Sequence, residues 1–315
     1  MQIKLIVIFM LILLVSCDKL PDSSGLDNEL IIISSIEDKQ EIEFKINDMF
    51  SDYINTPIEE NKYSLKWISP NNFKNYQYYK NIIILSLEHP KDSTIDLLYN
   101  RFKKTYKNLD FFSLYNLYSK QQVVLPIGAH SSIDFINLIN QNKRWIKDEI
   151  NNNIDGNIIN KLYNKDVNDS VTMIIENKFN IIPHIDVDYK IINNSEDFLH
   201  IGKGTPYRWL VFFRVHNFNK KNIWIIFDDM LKENFDGVTL SEYYRVKDGD
   251  FYRALYEHDA SDTGGPLFMY VFDNNVNNEV ILISGFINNP GKNKYLLLKE
   301  LELIVENIKE NNYEL

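Results

Sequence analysis

Two kinds of hydrophobic patterning alternate along the first 180 residues. Leu30–Ile33 and Ile82–Leu87 are unbroken apolar runs, which predict short strands buried on both faces. Between them Ile42, Ile46, Met49, Phe50, Tyr53 and Ile54 recur at helical spacing and predict a helix over 39–54. Tyr63, Leu65 and Trp67 alternate with Ser64 and Lys66, the pattern of a half-buried strand that ends before Pro70. Ile95, Leu98, Tyr99 and Phe102 predict a further helix, 109–128 is strand-rich in composition, and helical zones follow at 131–153 and 169–179.

Beyond residue 180 the pattern changes to short apolar runs separated by Asn, Lys and Gly clusters. Tyr189–Ile192, Phe198–Ile201, Trp209–Val215, Ile223–Phe227, Val271–Phe272 and Val280–Phe286 all read as strands, with a loop at 274–278. Short strands joined by turns imply antiparallel pairing. After Pro290 and Gly291, a helix presents Leu297, Leu298, Leu301, Ile304, Val305 and Ile308 on one face. The predicted fold class is therefore α+β: a mixed α/β region over 29–180, then an antiparallel β region over 181–315 capped by a C-terminal helix.

The extreme N-terminus has a different character. Lys4 precedes an apolar run from Leu5 to Val15, and Ser16 stands directly before Cys17. Eleven residues of helix rise about 16 Å, roughly half a hydrocarbon core, so the run reads as a signal-peptide segment and not as a permanent span. Leu14-Val15-Ser16-Cys17 resembles the lipobox of bacterial lipoproteins, in which the Cys thiol receives a diacylglycerol and the preceding peptide bond is cut. The reading is a lipoprotein signal peptide over 1–16 and a lipidated tether over 17–28, where Pro21, Ser23, Ser24 and Gly25 give linker composition. Cys17 is the only cysteine, so no intrachain disulfide exists. The expected partners are a membrane, through the diacylglycerol on Cys17, and an unidentified envelope protein or ligand; the expected place is the cell envelope.

Charge narrows the function further. With 34 Lys plus Arg against 44 Asp plus Glu, the net charge is -10, which argues against nucleic-acid binding through bulk charge. A lipid tether would hold such an acidic body off an anionic membrane.

The standard catalytic signatures are absent. No His-Glu-x-x-His site, Gly-x-Ser-x-Gly elbow or phosphate-binding Gly-x-x-x-x-Gly-Lys-Ser/Thr loop occurs, and neither a cofactor nor a metal is expected. His184, Asp186 and Asp188 alternate as metal ligands on one strand face would, but an exposed acidic strand gives the same pattern. Gly202-Lys203-Gly204 reads as a hairpin turn. Arg208-Trp209 is either a stacking pair for a ligand or the start of a core strand. The main candidate is the stretch Glu257, His258, Asp259 and Asp262 leading into Gly264, Gly265 and Pro266, read as an exposed recognition loop whose glycines supply unusual backbone angles. A hydrolase using the same cluster, or a solute-binding lipoprotein, are the alternatives.

Three stretches carry a family likeness. They are Leu30-Ile31-Ile32-Ile33 with the Asn81-Ile82-Ile83-Ile84 run, Gly264-Gly265-Pro266-Leu267-Phe268, and Gly285-Phe286 through Pro290 and Lys294 into the last helix. The chain resembles a family of bacterial envelope lipoproteins typical of Bacteroidetes-like lineages and known only as a domain of unknown function. Its Met-Gly-Gly-Pro-Phe element appears here with Thr263 and Leu267 at the variable ends, and its Arg-Gly-Leu-Trp element as Arg253-Ala254-Leu255-Tyr256. The resemblance implies a location and an architecture and no mechanism.

Overall fold

The computed structural model describes residues 20–87, 93–104, 111–258, 263–273 and 279–313. The expectations for 1–16, Cys17, Asp259, Asp262 and the loop 274–278 lie outside them. The chain forms two compact units, one made of 1–45 and 65–153 and the other of 46–64 and 154–315.

In the first unit the apolar runs are parallel strands. β1 (Glu29–Ile33) pairs with β5 (Asn81–Ser86), and β5 with β7 (Val123–Gly128), all parallel. β4 (Ser64–Ile68) flanks β1 and β6 (Leu114–Tyr115) flanks β7, completing the order β4-β1-β5-β7-β6. After the short helix α2 (Phe73–Tyr76), helix α3 (Ser93–Lys103) covers one face, where Ile95, Leu98 and Phe102 pack on Ile31, Ile33, Ile82 and Ile84. The C-terminal ends of parallel strands are where open α/β sheets commonly hold ligands. Here the protein's own Asp38 stands beside the ends of β1 and β5. Helix α1 (Ile36–Met49) starts there, the Ser35 hydroxyl accepts from the Asp38 N–H at 2.9 Å, and the buried Asp38 carboxylate accepts from the Leu87 N–H at 3.2 Å. The predicted helix over 39–54 thus begins and ends early: Tyr53 and Ile54 belong to β2 (Tyr53–Asn55), paired with β3 (Glu59–Asn61).

The second unit is built on a seven-stranded antiparallel sheet of order β11-β12-β13-β14-β10-β9-β8. Its strands are β8 (Lys190–Asn194), β9 (Phe198–Lys203), β10 (Tyr207–Val215), β11 (Val238–Asp248), β12 (Phe251–His258), β13 (Thr263–Asp273) and β14 (Val280–Asn288). Both faces are covered, which is why the central strands are apolar throughout instead of alternating. On one face helix α6 (Ile223–Asn234) sets Ile223, Phe227, Met230 and Leu231 against Val211, Leu267, Leu282 and Phe286. On the other, helix α7 (Tyr295–Tyr313) buries Leu298, Leu301, Ile304, Val305 and Ile308, and Leu301 lies so near Gly285 that a Cβ there would stand 3.1 Å from it. Burying each such side chain contributes about 1.5–3 kcal/mol.

The reading of Ile223–Phe227 as a strand is corrected: the segment opens α6, because its apolar periodicity continues to Met230 and Leu231 while Ile225 faces solvent. The helices predicted over 131–153 and 169–179 are α4 (Ser132–Tyr163), which ends ten residues later, and α5 (Asp169–Phe179).

Two polar devices fix this unit. Glu60, from the β2–β3 hairpin, is buried and accepts from the Lys294 N–H at 2.7 Å and the Tyr295 N–H at 3.1 Å, so a carboxylate remote in sequence satisfies donors at the start of α7. Near the other end of that helix's first turns, Glu300 accepts from Lys203 at 2.8 Å and from Arg208, while Lys203 also bonds the buried Asp186 at 2.6 Å.

The glycines of the predicted recognition loop are strand residues. Gly264, Gly265 and Pro266 pair with Glu257, Tyr256 and Leu255, and neither glycine has a positive φ. Their requirement is close approach instead. A Cβ on Gly265 would stand 2.1 Å from the Ile287 carbonyl oxygen and 3.1 Å from the Tyr256 ring. Ladder pairing between β13 and β14 starts only at Leu267 and Phe286, so Pro266, which has no N–H to donate, sits just before it. At that point the Tyr256 hydroxyl donates to the Ile287 carbonyl at 3.1 Å.

Gly265→Ala should therefore destabilise the protein by about 2 kcal/mol or more, from overpacking. Gly156→Ala, in the interior of α4 with no atom within 4 Å of the new Cβ, should stabilise it by about 0.5–1 kcal/mol. Denaturant unfolding of both variants checks this; equal effects would contradict the close approach.

Candidate functional site

Helix α6 stops at Asn234, and the chain turns through Phe235 and a left-handed Gly237 into β11. Where the helix ends, the sheet face beneath is left with an opening of about 260 Å3. Six rings line it: His200 from β9, Trp209 from β10, Phe235, Tyr256 and His258 from β12, and Phe286 from β14. Strand alternation brings them together, since Trp209 lies opposite Phe286 in the β10–β14 register and Val211 opposite His200. The rings meet mostly edge to face, with centroids 5.0 Å apart for His200 and Phe235, 5.7 Å for Tyr256 and Phe286, and 6.5 Å for Trp209 and Tyr256. His258, Thr263 and Asn288 add polar groups, and no Lys, Arg, Asp or Glu lines the cavity among the described residues.

Two of the polar groups lack partners. His200 is 8% exposed, and its Nε2 has no hydrogen-bond partner among the described residues. Burial alone pushes its pKa down to about 4, so it is neutral at pH 7. The Asn288 Oδ1 is likewise buried without a partner among the described residues. A buried polar atom left unpaired costs about 1–3 kcal/mol, so a group that pairs with it gains correspondingly. Tyr256, its hydroxyl pKa raised by burial, remains a proton donor committed to Ile287.

Of the residues singled out from the sequence, His258 reaches this cavity, and Thr263 lies directly across from it in the β12–β13 register. Glu257 is exposed on β12, while Gly265 and Pro266 are buried behind the cavity wall. Trp209 lines the cavity and also packs on the α6 core, as a residue near the start of β10. His184, Asp186 and Asp188 lie between elements and not on a strand, and the two carboxylates share Lys165, at 3.5 and 2.7 Å. The His184 ring lies tilted against Tyr163 with centroids 4.4 Å apart, Asp186 bonds Lys203, and Asp188 bonds Lys165 at 2.7 Å. Among the described residues no group of three or more His, Cys, Asp or Glu could hold a metal ion. Gly202 and Lys203 end β9, and the turn follows at Gly204. His200 was not singled out; the available signal was an imidazole inside the apolar run Phe198–Ile201, on the same face as Trp209.

Residues 23–163 match the family model described as domain of unknown function (DUF8532), and residues 168–307 match a second, domain of unknown function (DUF4837). All described residues of the cavity fall in the second segment. No curated protein and no solved structure matches the chain.

The depressed His200 pKa carries a linkage sign. Between its ordinary value of 6.5 and about 4 the unfolded chain binds a proton that the folded protein refuses, so stability falls as pH drops through that window. His200→Phe removes this contribution, worth on the order of 3 kcal/mol at the acid end. Chemical unfolding of both proteins from pH 7 to pH 4 should show a wild type that loses more stability than the variant; parallel curves would contradict the buried neutral imidazole.

Proposed function

We propose that the protein is a lipid-anchored cell-envelope protein whose second unit binds a small, mostly apolar ligand, and that it is not an enzyme. The aromatic cavity at the end of α6 carries this reading, because apolar walls with a few convergent polar groups are the usual form of a small-ligand site. The anchor rests on the sequence: Leu14-Val15-Ser16-Cys17 has lipobox form, the only cysteine of the chain stands at that junction, and a polar linker follows it. Two or three acyl chains hold a protein stably without any basic patch, which suits an acidic body.

A second reading, hydrolysis, draws on one observation: Thr263 and His258 are cross-strand partners on β13 and β12, and both line the cavity.

Labelled palmitate should enter the wild-type protein in its native host and fail to enter Cys17→Ser. Equal labelling of the two would overturn the anchor. An esterase activity of the purified protein that disappears in Thr263→Val, with the fold intact, would replace binding by hydrolysis.

A further inference from the structure

We propose that a groove of the first unit binds a phosphate monoester carried on an aromatic or other apolar group, with Arg101 and Lys74 meeting the phosphate and Leu97 and Leu98 meeting its carrier. The site is separate from the aromatic cavity and does not rest on the binding reading given to that cavity.

Two helical stripes make the groove. On α3, Thr94, Leu97, Leu98 and Arg101 stand at i, i+3, i+4 and i+7, so they share one face. The opposite wall is a short 3-10 turn, Pro70–Asn72, followed by α2, with Asn71, Phe73, Lys74 and Gln77 facing the space. At one end the Thr94 hydroxyl donates to Asn71 Oδ1 at 3.2 Å and ties the walls together. The space between them is about 430 Å3, within the range of small-molecule sites. Its middle is apolar: Leu98 is buried there, while Leu97 is 71% exposed.

The other end carries the charge. Arg101 hydrogen-bonds the Tyr118 hydroxyl, the Tyr118 ring meets Phe73 edge to face at 5.5 Å, and Lys74 follows Phe73 in the chain. Both cations therefore stand beside one pair of rings, and Arg101 lies two turns, about 10 Å, along α3 from Thr94. Among the described residues no Asp or Glu lines the groove, and neither cation is paired with a carboxylate. The one carboxylate of α3, Asp96, lies off the stripe and accepts from Asn100 at 2.6 Å. Burial raises the Tyr118 pKa, so its hydroxyl stays protonated, and the Gln77 amide is a further neutral donor.

Charge decides the class of ligand. A monocarboxylate calls for one cation, whereas a phosphate monoester at pH 7 carries about -1.5 to -2 and three acceptor oxygens, which a guanidinium fork and an ammonium answer together. The net charge of -10 does not cancel this attraction, because charges beyond about 8–10 Å are screened at physiological salt while groups in contact are not. The apolar middle supplies contacts that bare phosphate cannot use.

The experiment is calorimetric titration of the full-length protein in phosphatidylcholine nanodiscs with phenyl phosphate, inorganic phosphate and benzoate. Phenyl phosphate should bind about tenfold more tightly than either of the others, through its ring in the first case and its second charge in the other. Arg101→Gln and Lys74→Gln should each weaken it about tenfold, the worth of one charge-assisted hydrogen bond. Arg144→Gln, which removes an exposed cation of the same unit outside the groove, should leave it unchanged. Leu97→Ala should weaken phenyl phosphate several-fold and leave inorganic phosphate as it was. All four positions are exposed, so the fold tolerates these changes. Nanodiscs containing phosphatidic acid separate two sources of the ester: phenyl phosphate displaced in them identifies a lipid headgroup, and phenyl phosphate still bound identifies a soluble ester, the phosphate chemistry standing in both cases. Benzoate binding as tightly as phenyl phosphate overturns the phosphate, and inorganic phosphate binding as tightly overturns the apolar carrier. No binding of phenyl phosphate, or an Arg144→Gln loss equal to that of Arg101→Gln, overturns the site and leaves the reading of the aromatic cavity untouched.

Discussion

The hydrogen bond from the Tyr256 hydroxyl to the Ile287 carbonyl, made across Gly265, sets the geometry of the second unit's sheet at its working end. It stands where β13 leaves the ladder with β14, and it gives the Ile287 carbonyl a donor in a place where Pro266 has none. Only a residue without a Cβ lets the Tyr256 ring lie there. The Gly-Gly-Pro element is thus a crossing point for a side chain from the neighbouring strand, and the ring it admits becomes one wall of the cavity.

The cavity itself follows from unequal cover. The sheet is apolar on both faces, so both need a helix, and α7 runs beneath the central strands while α6 stops at Asn234. Past that point Trp209, Tyr256 and Phe286 still project from the strands, and Phe235 closes only part of the gap. Core packing and ligand site are therefore one aromatic surface, filled by the protein at one end and open at the other. His200 marks the transition: it is buried like a core residue yet carries a polar atom that the core does not pair.

Local pattern made much of the fold legible. Unbroken isoleucine runs located β1 and β5, alternation located β4, and helical spacing located α3, α5 and α7, because in each case one element's own periodicity reports its burial. Errors came where the deciding contact is remote. Ile223–Phe227 is dense enough in apolar residues to hide its helical period, which shows only with Met230 and Leu231 included. Gly264-Gly265-Pro266 has the composition of a turn, and nothing local reveals that Tyr256 and Ile287 meet there. The cavity gathers residues 200 to 288 from six strands and a turn, so of its lining only His258 and Trp209 stood among the candidates read from the sequence. Asp38 gives the converse lesson: at the C-terminal ends of β1 and β5 in the first unit, the chain's own carboxylate takes the free backbone donor of Leu87.

That the aromatic opening is a ligand site is the central claim, and the signals of the protein's own tryptophans test it most directly. With all four tryptophans replaced by 5-fluorotryptophan in the full-length protein, phenol should shift the fluorine resonance of Trp209 in a saturable manner. The resonances of Trp67, Trp145 and Trp224 should stay in place. A Trp209 signal that does not move at saturating phenol, or four signals that drift together without saturation, would contradict it.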